Sequence, residues 1–118
     1  MDKRVLVIED SPNVCDMCVR VLTRAGFEVE SAATGQEALR LLRSAPAFDL
    51  VVIDFALPDM SGLELADYVR AQSPMIIISG YLSPEDRESI AQIESCEVLL
   101  KPFRTQDLIA AVGHTLNS

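Results

Sequence analysis

Four short apolar runs, residues 5–8, 50–53, 75–78 and 98–100, are spaced along this chain, and each stops at a polar residue. An unbroken run of this length reads as a strand buried on both faces, as parallel sheets require. Phe27-Glu28-Val29-Glu30 alternates instead, the pattern of an edge or half-exposed strand. Helical patterns fill the gaps. Ser11-Pro12 supplies a cap and a first-turn proline, Val14, Cys18, Val21, Leu22 and Ala25 recur at helical spacing, and Gly26 ends that helix. Thr34-Gly35-Gln36-Glu37 and Ser61-Gly62-Leu63-Glu64 are capping boxes. Ala38, Leu41 and Leu42 continue the first of these helices, which Pro46 closes; Leu63, Ala66 and Val69 line the second. Ser83-Pro84-Glu85-Asp86 caps a weaker helix to about residue 93, and Thr105 caps a last one bearing Leu108, Ile109, Val112 and Leu116.

Strand and helix therefore alternate five times. That order demands parallel strands, right-handed crossovers and helices on both faces of the sheet. The expected fold is α/β, a flavodoxin-like (βα)5 sandwich whose five-stranded parallel sheet has the order 2-1-3-4-5, in one domain over residues 1–118. Its crevice opens between strands 1 and 3, beyond their carboxyl ends, where ligands bind in open parallel sheets.

Composition narrows the function. Hydrophobic residues make up 49% and aromatics 5%, so the single core is aliphatic. A net charge of -8 argues against a nucleic-acid face, which needs clustered Lys and Arg. No apolar run reaches the ~18 residues of a membrane span, and the apolar stretch at the amino end is too short for a signal peptide. Cys15, Cys18 and Cys96 are an odd number without secretory context, which reads as reduced thiols in the cytoplasm. Cys15 and Cys18 have a C-x-x-C spacing, but a structural zinc needs four ligands and the one histidine, His114, lies in the last helix. Cys18 falls in an apolar helix stripe and reads as a buried free thiol.

Four strands end in polar groups at one edge of the sheet: Glu9-Asp10, Asp54, Ser79 and Lys101. An isolated Asp at a strand end starts a turn more often than it does chemistry; the set is what changes the reading. Carboxylates packed together repel, and burial raises their pKa values. A divalent cation relieves both effects, and Mg²⁺ suits one or two carboxylates with waters and a phosphate. A shared proton or a solvated acidic rim is the plainer alternative. Lys101 is one of two lysines, and its ammonium could neutralise the acids or meet a bound anion; a structural salt bridge to Asp54 is its plainer role. Pro102 follows it, and a cis bond there, the minority form, would aim the lysine inward. A carboxylate nucleophile, a cation, a lysine and a hydroxyl together can accept a phosphoryl group, a reaction that depends on positioning and charge neutralisation.

These residues resemble a two-component response regulator receiver domain of the CheY-like superfamily. The resemblance runs from Val5-Leu6-Val7-Ile8-Glu9-Asp10-Ser11, through Asp54-Phe55-Ala56-Leu57-Pro58-Asp59-Met60-Ser61-Gly62 and Ile78-Ser79-Gly80-Tyr81, to Leu100-Lys101-Pro102-Phe103. It implies that Asp54 takes a phosphoryl group from a phosphohistidine on a histidine kinase or histidine phosphotransfer protein. It implies Mg²⁺ on Asp10, Asp54 and the Ala56 carbonyl, with Glu9 assisting through water, and contacts from Ser79 and Lys101 to the phosphoryl group. A downstream protein partner would then read the face made by helix 4, strand 5 and helix 5. The chain departs from the family at Val98, where an aromatic switch residue is common. Ala56 and Tyr81 occupy the positions that tune phosphoryl loss, and Ile93-Glu94-Ser95-Cys96-Glu97 replaces the usual small-residue link, which points to a short or mobile helix 4.

Other classes fit less well. An aspartyl-phosphate phosphatase needs an acid two residues after the nucleophile, where Ala56 cannot move a proton. A flavodoxin-type cofactor carrier needs a phosphate loop where Glu9-Asp10 stands. A receiver-like interaction scaffold that works without phosphorylation is opposed by the complete acidic, Ser and Lys set, though Val98 fits it. No output domain follows Leu116-Asn117-Ser118, which suits a free-standing regulator or a piece of a hybrid kinase or longer regulator.

Overall fold

In the computed structural model, which describes residues 3–44 and 47–117, the chain runs β1 (Arg4–Ile8), α1 (Pro12–Arg24), β2 (Glu28–Ala32), α2 (Gly35–Arg43), β3 (Leu50–Asp54), α3 (Gly62–Val69), β4 (Met75–Ser79), α4 (Pro84–Ala91), β5 (Cys96–Leu100) and α5 (Thr105–Asn117). The expected helix stop at Pro46 lies outside the described residues. All strand pairings are parallel, in the order β2-β1-β3-β4-β5. This is the doubly wound sheet that the alternation demands.

Burial follows the strand patterns. The unbroken apolar runs of β3 and β4 are buried along their whole length. Successive side chains point to opposite faces, so each run feeds two cores. Leu6, Ile8, Val51, Ile53, Met75 and Ile77 pack with side chains of α2, α3 and α4. Val5, Val7, Leu50, Val52, Ile76 and Ile78 pack with those of α1 and α5. The edge strands β2 and β5 are only partly covered, which is why they tolerate Glu28, Glu30 and Glu97.

Register decides what meets at the carboxyl edge. Ile8 pairs with Ile53, so Glu9 emerges level with Asp54. Asp54 pairs with Ile78 and Ser79 with Leu100, so Ser79 and Lys101 each emerge one residue further along. Three backbone bonds lock the edge: Glu9 N–H to Ala32 O at 3.0 Å, Phe55 N–H to Ile78 O at 2.8 Å and Lys101 N–H to Ser79 O at 2.8 Å. The Lys101–Pro102 peptide is cis.

Several element boundaries differ from the sequence reading. The alternating strand starts at Glu28 and reaches Ala32. Gly26, at φ 99°, and Phe27 instead close α1: their N–H groups donate to Thr23 O and Leu22 O, the paired bonds of a Schellman motif. β5 begins at Cys96 because Met75 reaches back to Ser95 O and pairs with Cys96, outside the apolar run. α4 ends at Ala91, and Ile93 is buried beyond it. Thr105 is the first helical residue of α5 rather than its cap; Arg104 O accepts from Leu108 N–H, and the Arg104 N–H donates to Asp107 Oδ2. Ser11 precedes α1 without a side-chain cap bond, its own N–H donating to Glu9 Oε2 instead. The caps at Thr34 and Ser83 form as expected, whereas the Ser61 hydroxyl accepts from Leu63 N–H, one residue short of Glu64.

Candidate phosphoryl-acceptor site

Asp54 ends a strand with no exposed residue, and is itself 3% exposed. Its Oδ1 accepts the Ala56 N–H at 3.1 Å. Glu9, 1% exposed, uses Oε2 to accept the Ser11 N–H at 3.1 Å. Asp10 beside it is exposed. One carboxylate oxygen from each of Glu9, Asp10 and Asp54 lies within 4.8 Å of the others. Lys101 Nζ stands 3.1 Å from Glu9 Oε1 and 3.7 Å from Asp54 Oδ2. Crossing strand register has thus collected three acids and one ammonium at a single point.

The charges do not balance, and the titration of the groups reflects it. Burial pushes Asp54 up to about 7; Glu9 and Asp10 add to the rise, and the Ala56 N–H opposes it. For Lys101, burial works against the charged form, but Glu9, Asp54 and Asp10 outweigh it and raise its pKa. Glu9 Oε1 is buried, meets Lys101 only as an ion pair, and takes no well-directed hydrogen bond. An all-oxygen donor set, surplus negative charge and a buried carboxylate oxygen with unused acceptor capacity fit a hard divalent cation such as Mg²⁺.

The remaining expected residues flank this cluster. Ala56 is held by its N–H to Asp54 and by an antiparallel bridge to Ser61. The Ser79 hydroxyl, 4% exposed as a residue, donates to Tyr81 O at 2.6 Å and accepts the Tyr81 N–H at 3.1 Å. It is therefore turned onto its own loop. His114 stays apart, with Nδ1 3.6 Å from Glu97 Oε1. The cysteines are free. Burial raises Cys15 and pushes Cys18 to about 12 and Cys96 to about 11, so none is a ready thiolate.

Two residues between β3 and the first turn of α3 have structural roles that the sequence reading did not assign. A Cβ on Gly62 would lie 2.6 Å from both Phe55 Cα and Phe55 O, so only glycine lets α3 start against the acceptor loop. Asp59 reaches across to α2, where Oδ1 accepts the Gly35 N–H at 2.7 Å and Oδ2 the Gln36 N–H at 2.9 Å. Gly62 carried a signal, being a glycine beside the capping serine. Asp59 carried none, because its partners lie 24 and 23 residues away.

A five-stranded doubly wound sheet with this acidic edge and a lysine at the end of its last strand is the framework of a signal-receiving domain. Residues 5–113 match the response regulator receiver domain family, and the chain belongs to it. It is a receiver domain of two-component signalling. Among curated relatives, the transcriptional regulatory protein YrkP of Bacillus subtilis is 33% identical over 95% of this chain and 48% of its own length. The alkaline phosphatase synthesis regulator SphR of Synechococcus elongatus is 36% identical over 91% of this chain and 46% of its own. The chain thus spans about half the length of these relatives. Among solved structures, chemotaxis response regulator CheY4 of Vibrio cholerae is 31% identical with a TM-score of 0.87, covering 98% of this chain and 100% of that one. TrrA of Thermotoga maritima, solved in complex with Mg²⁺–BeF, is 31% identical with a TM-score of 0.83, covering 97% and 99%. No helix among the described residues is long and apolar enough to cross a membrane.

Proposed function

We propose that Asp54 is the phosphoacceptor of this receiver and that the cluster around it binds Mg²⁺. The observation that carries the reading is the buried Asp54 carboxylate at a strand end, 3.7 Å from Lys101 and grouped with Glu9 and Asp10. An Asp54 oxygen attacks phosphorus in line; the bond from phosphorus to the donor imidazole nitrogen breaks, and that nitrogen keeps the electron pair and takes up a proton from solvent. Glu9, Asp10, Asp54 and the Ala56 carbonyl would hold the cation, which supplies charge neutralisation for the acids and the incoming oxygens. Lys101 supplies the fixed positive charge of the site. Ser79 gives up its bond to Tyr81 O and donates to a phosphoryl oxygen. A domain of this kind serves as acceptor and switch rather than as an enzyme with its own substrate.

The donor is a phosphohistidine on a histidine kinase or histidine phosphotransfer protein. Downstream, the α4–β5–α5 face offers the exposed apolar residues Val98 and Leu100 of β5 to a protein partner. The domain works in the cytoplasm, in keeping with the family's phosphodonors.

Intact mass after incubation with acetyl phosphate, with and without Mg²⁺, tests the reading. Wild type gains one phosphoryl group only with Mg²⁺, and Asp54→Asn gains none. A folded wild type that gains nothing from acetyl phosphate or from a phosphohistidine donor would overturn it.

A further inference from the structure

The acceptor loop is fastened at both ends. At its base, the Ala56–Ser61 bridge and the Gly62 N–H, which donates to Phe55 O at 3.2 Å, close residues 55–62 into a narrow turn. At its tip, Asp59 meets two N–H groups in the first turn of α2. The fit there is close: Gly35 is buried, and a Cβ on it would stand 2.2 Å from Met60 Sδ and 3.2 Å from Asp59 Oδ1. Leu57 and Met60 pack between the two fastenings against the core shared with α2 and α3.

The tip contact spans the crevice. α2 follows β2, which pairs with β1, and β1 leads into Glu9 and Asp10. Asp59 belongs to the other side, five residues after Asp54 and three after Ala56. Two charge-assisted bonds at a helix N-terminus make a stiff link, and they hold the Asp59 carboxyl below the usual carboxylate range.

We infer that Asp59 is a positioning residue for the phosphorylation site: its carboxylate clamps the β3–α3 loop to the first turn of α2 and so sets the Ala56 carbonyl against Glu9, Asp10 and Asp54. The inference rests on the reading of this cluster as the Mg²⁺ and phosphoryl site. Asp59 is exposed and contributes no side chain to the core, so its removal acts through the two bonds to α2.

Three variants test it: Asp59→Ala, Asp59→Asn, and Thr34→Ala. The last removes the hydroxyl that accepts Glu37 N–H at the same helix end and leaves the Asp59 bonds in place. Mg²⁺ affinity is measured by calorimetric titration, phosphorylation by acetyl phosphate at saturating Mg²⁺, and stability by urea unfolding. Asp59→Ala weakens Mg²⁺ binding by roughly tenfold, the scale of losing an outer-shell support of a metal ligand, and slows phosphorylation. Asp59→Asn, which keeps the size and one acceptor oxygen, falls between. Thr34→Ala loses stability but keeps wild-type Mg²⁺ affinity. Equal Mg²⁺ affinity in wild type and Asp59→Ala, or equal losses in Asp59→Ala and Thr34→Ala, would overturn the clamp while leaving Asp54 as acceptor. A wild type that takes neither Mg²⁺ nor a phosphoryl group would overturn both.

Discussion

Lys101 stands closer to Glu9 than to Asp54, at 3.1 Å against 3.7 Å. The ammonium is therefore the main partner of the most deeply buried acid of the cluster and a neighbour of the acceptor. Lys101→Ala leaves Glu9 and Asp54 facing each other without a counter-charge. Breaking a fully buried pair costs roughly 3–5 kcal/mol, and the partial exposure of Lys101 lowers that cost here. Urea unfolding in the presence of a chelator shows that loss at pH 7.5, and millimolar Mg²⁺ recovers part of it. A Lys101→Ala protein as stable as wild type without Mg²⁺ would mean that the ion pair carries no weight in the fold.

The Asp54 carboxyl titrates in the folded state at about 7, against 3.8 in an unfolded chain. A raised acid favours the fold in its protonated form. Its contribution is complete below pH 3.8 and is lost as pH rises through about 7. Metal-free wild type accordingly loses stability across that window relative to Asp54→Asn, which has no proton to release. The difference between the two unfolding midpoints, followed from pH 4.5 to pH 8, grows in favour of Asp54→Asn. A difference independent of pH would show that Asp54 is ionised throughout.

The Ser79 hydroxyl begins committed to Tyr81, donating to its carbonyl at 2.6 Å and accepting its N–H at 3.1 Å. Phosphorylation of Asp54 draws the hydroxyl away and frees both backbone groups. In wild type the Tyr81 amide resonance moves strongly on phosphorylation. In Ser79→Ala that amide is already released, so the shift shrinks while the mass gain on Asp54 persists. A Tyr81 amide that responds equally in both proteins would place the movement elsewhere.

Gly62 and Gly35 both sit where a Cβ would collide, but with different neighbours. At Gly62 the obstacle is Phe55 backbone at 2.6 Å, and at Gly35 it is the end of the Met60 side chain at 2.2 Å. Backbone cannot step aside, whereas a methionine can change rotamer. Gly62→Ala is expected to cost about 2–3 kcal/mol, the upper part of the overpacking range, and Gly35→Ala about 1 kcal/mol. Urea midpoints compare the two directly, and a reversed order would refute the assignment of the close contact to the loop backbone.

The architecture was legible because four strands announce themselves as unbroken apolar runs, each stopped by the polar residue that the register later brings to one edge. Glu9, Asp10, Asp54 and Lys101 could be grouped from that alone. The misplaced boundaries share a cause. Phe27 N–H donates to Leu22 O, Ser95 O accepts from Met75 N–H and Arg104 O from Leu108 N–H, and such backbone bonding leaves little trace in side-chain pattern. Asp59 was invisible for a related reason: Asp in a Pro-Asp-Met loop reads as a turn former, and only the folded sheet brings α2 to it. The commitment of Ser79 to Tyr81 could not be read either, since a hydroxyl at a strand end can donate in either direction.

α4 seats a single side chain of its own in the core, Ile90, and is eight residues long. Its far end is tethered by Arg70, whose Nη2 donates to Gln92 O at 3.2 Å. Burial of one such side chain is worth about 1.5–3 kcal/mol, the same order as one hydrogen bond to a charged group. A single new contact at the end of β4 is thus comparable with the one core anchor that α4 itself supplies. Of the five helices α4 therefore grips the sheet with the fewest side chains, and a change at the sheet edge meets the least resistance there.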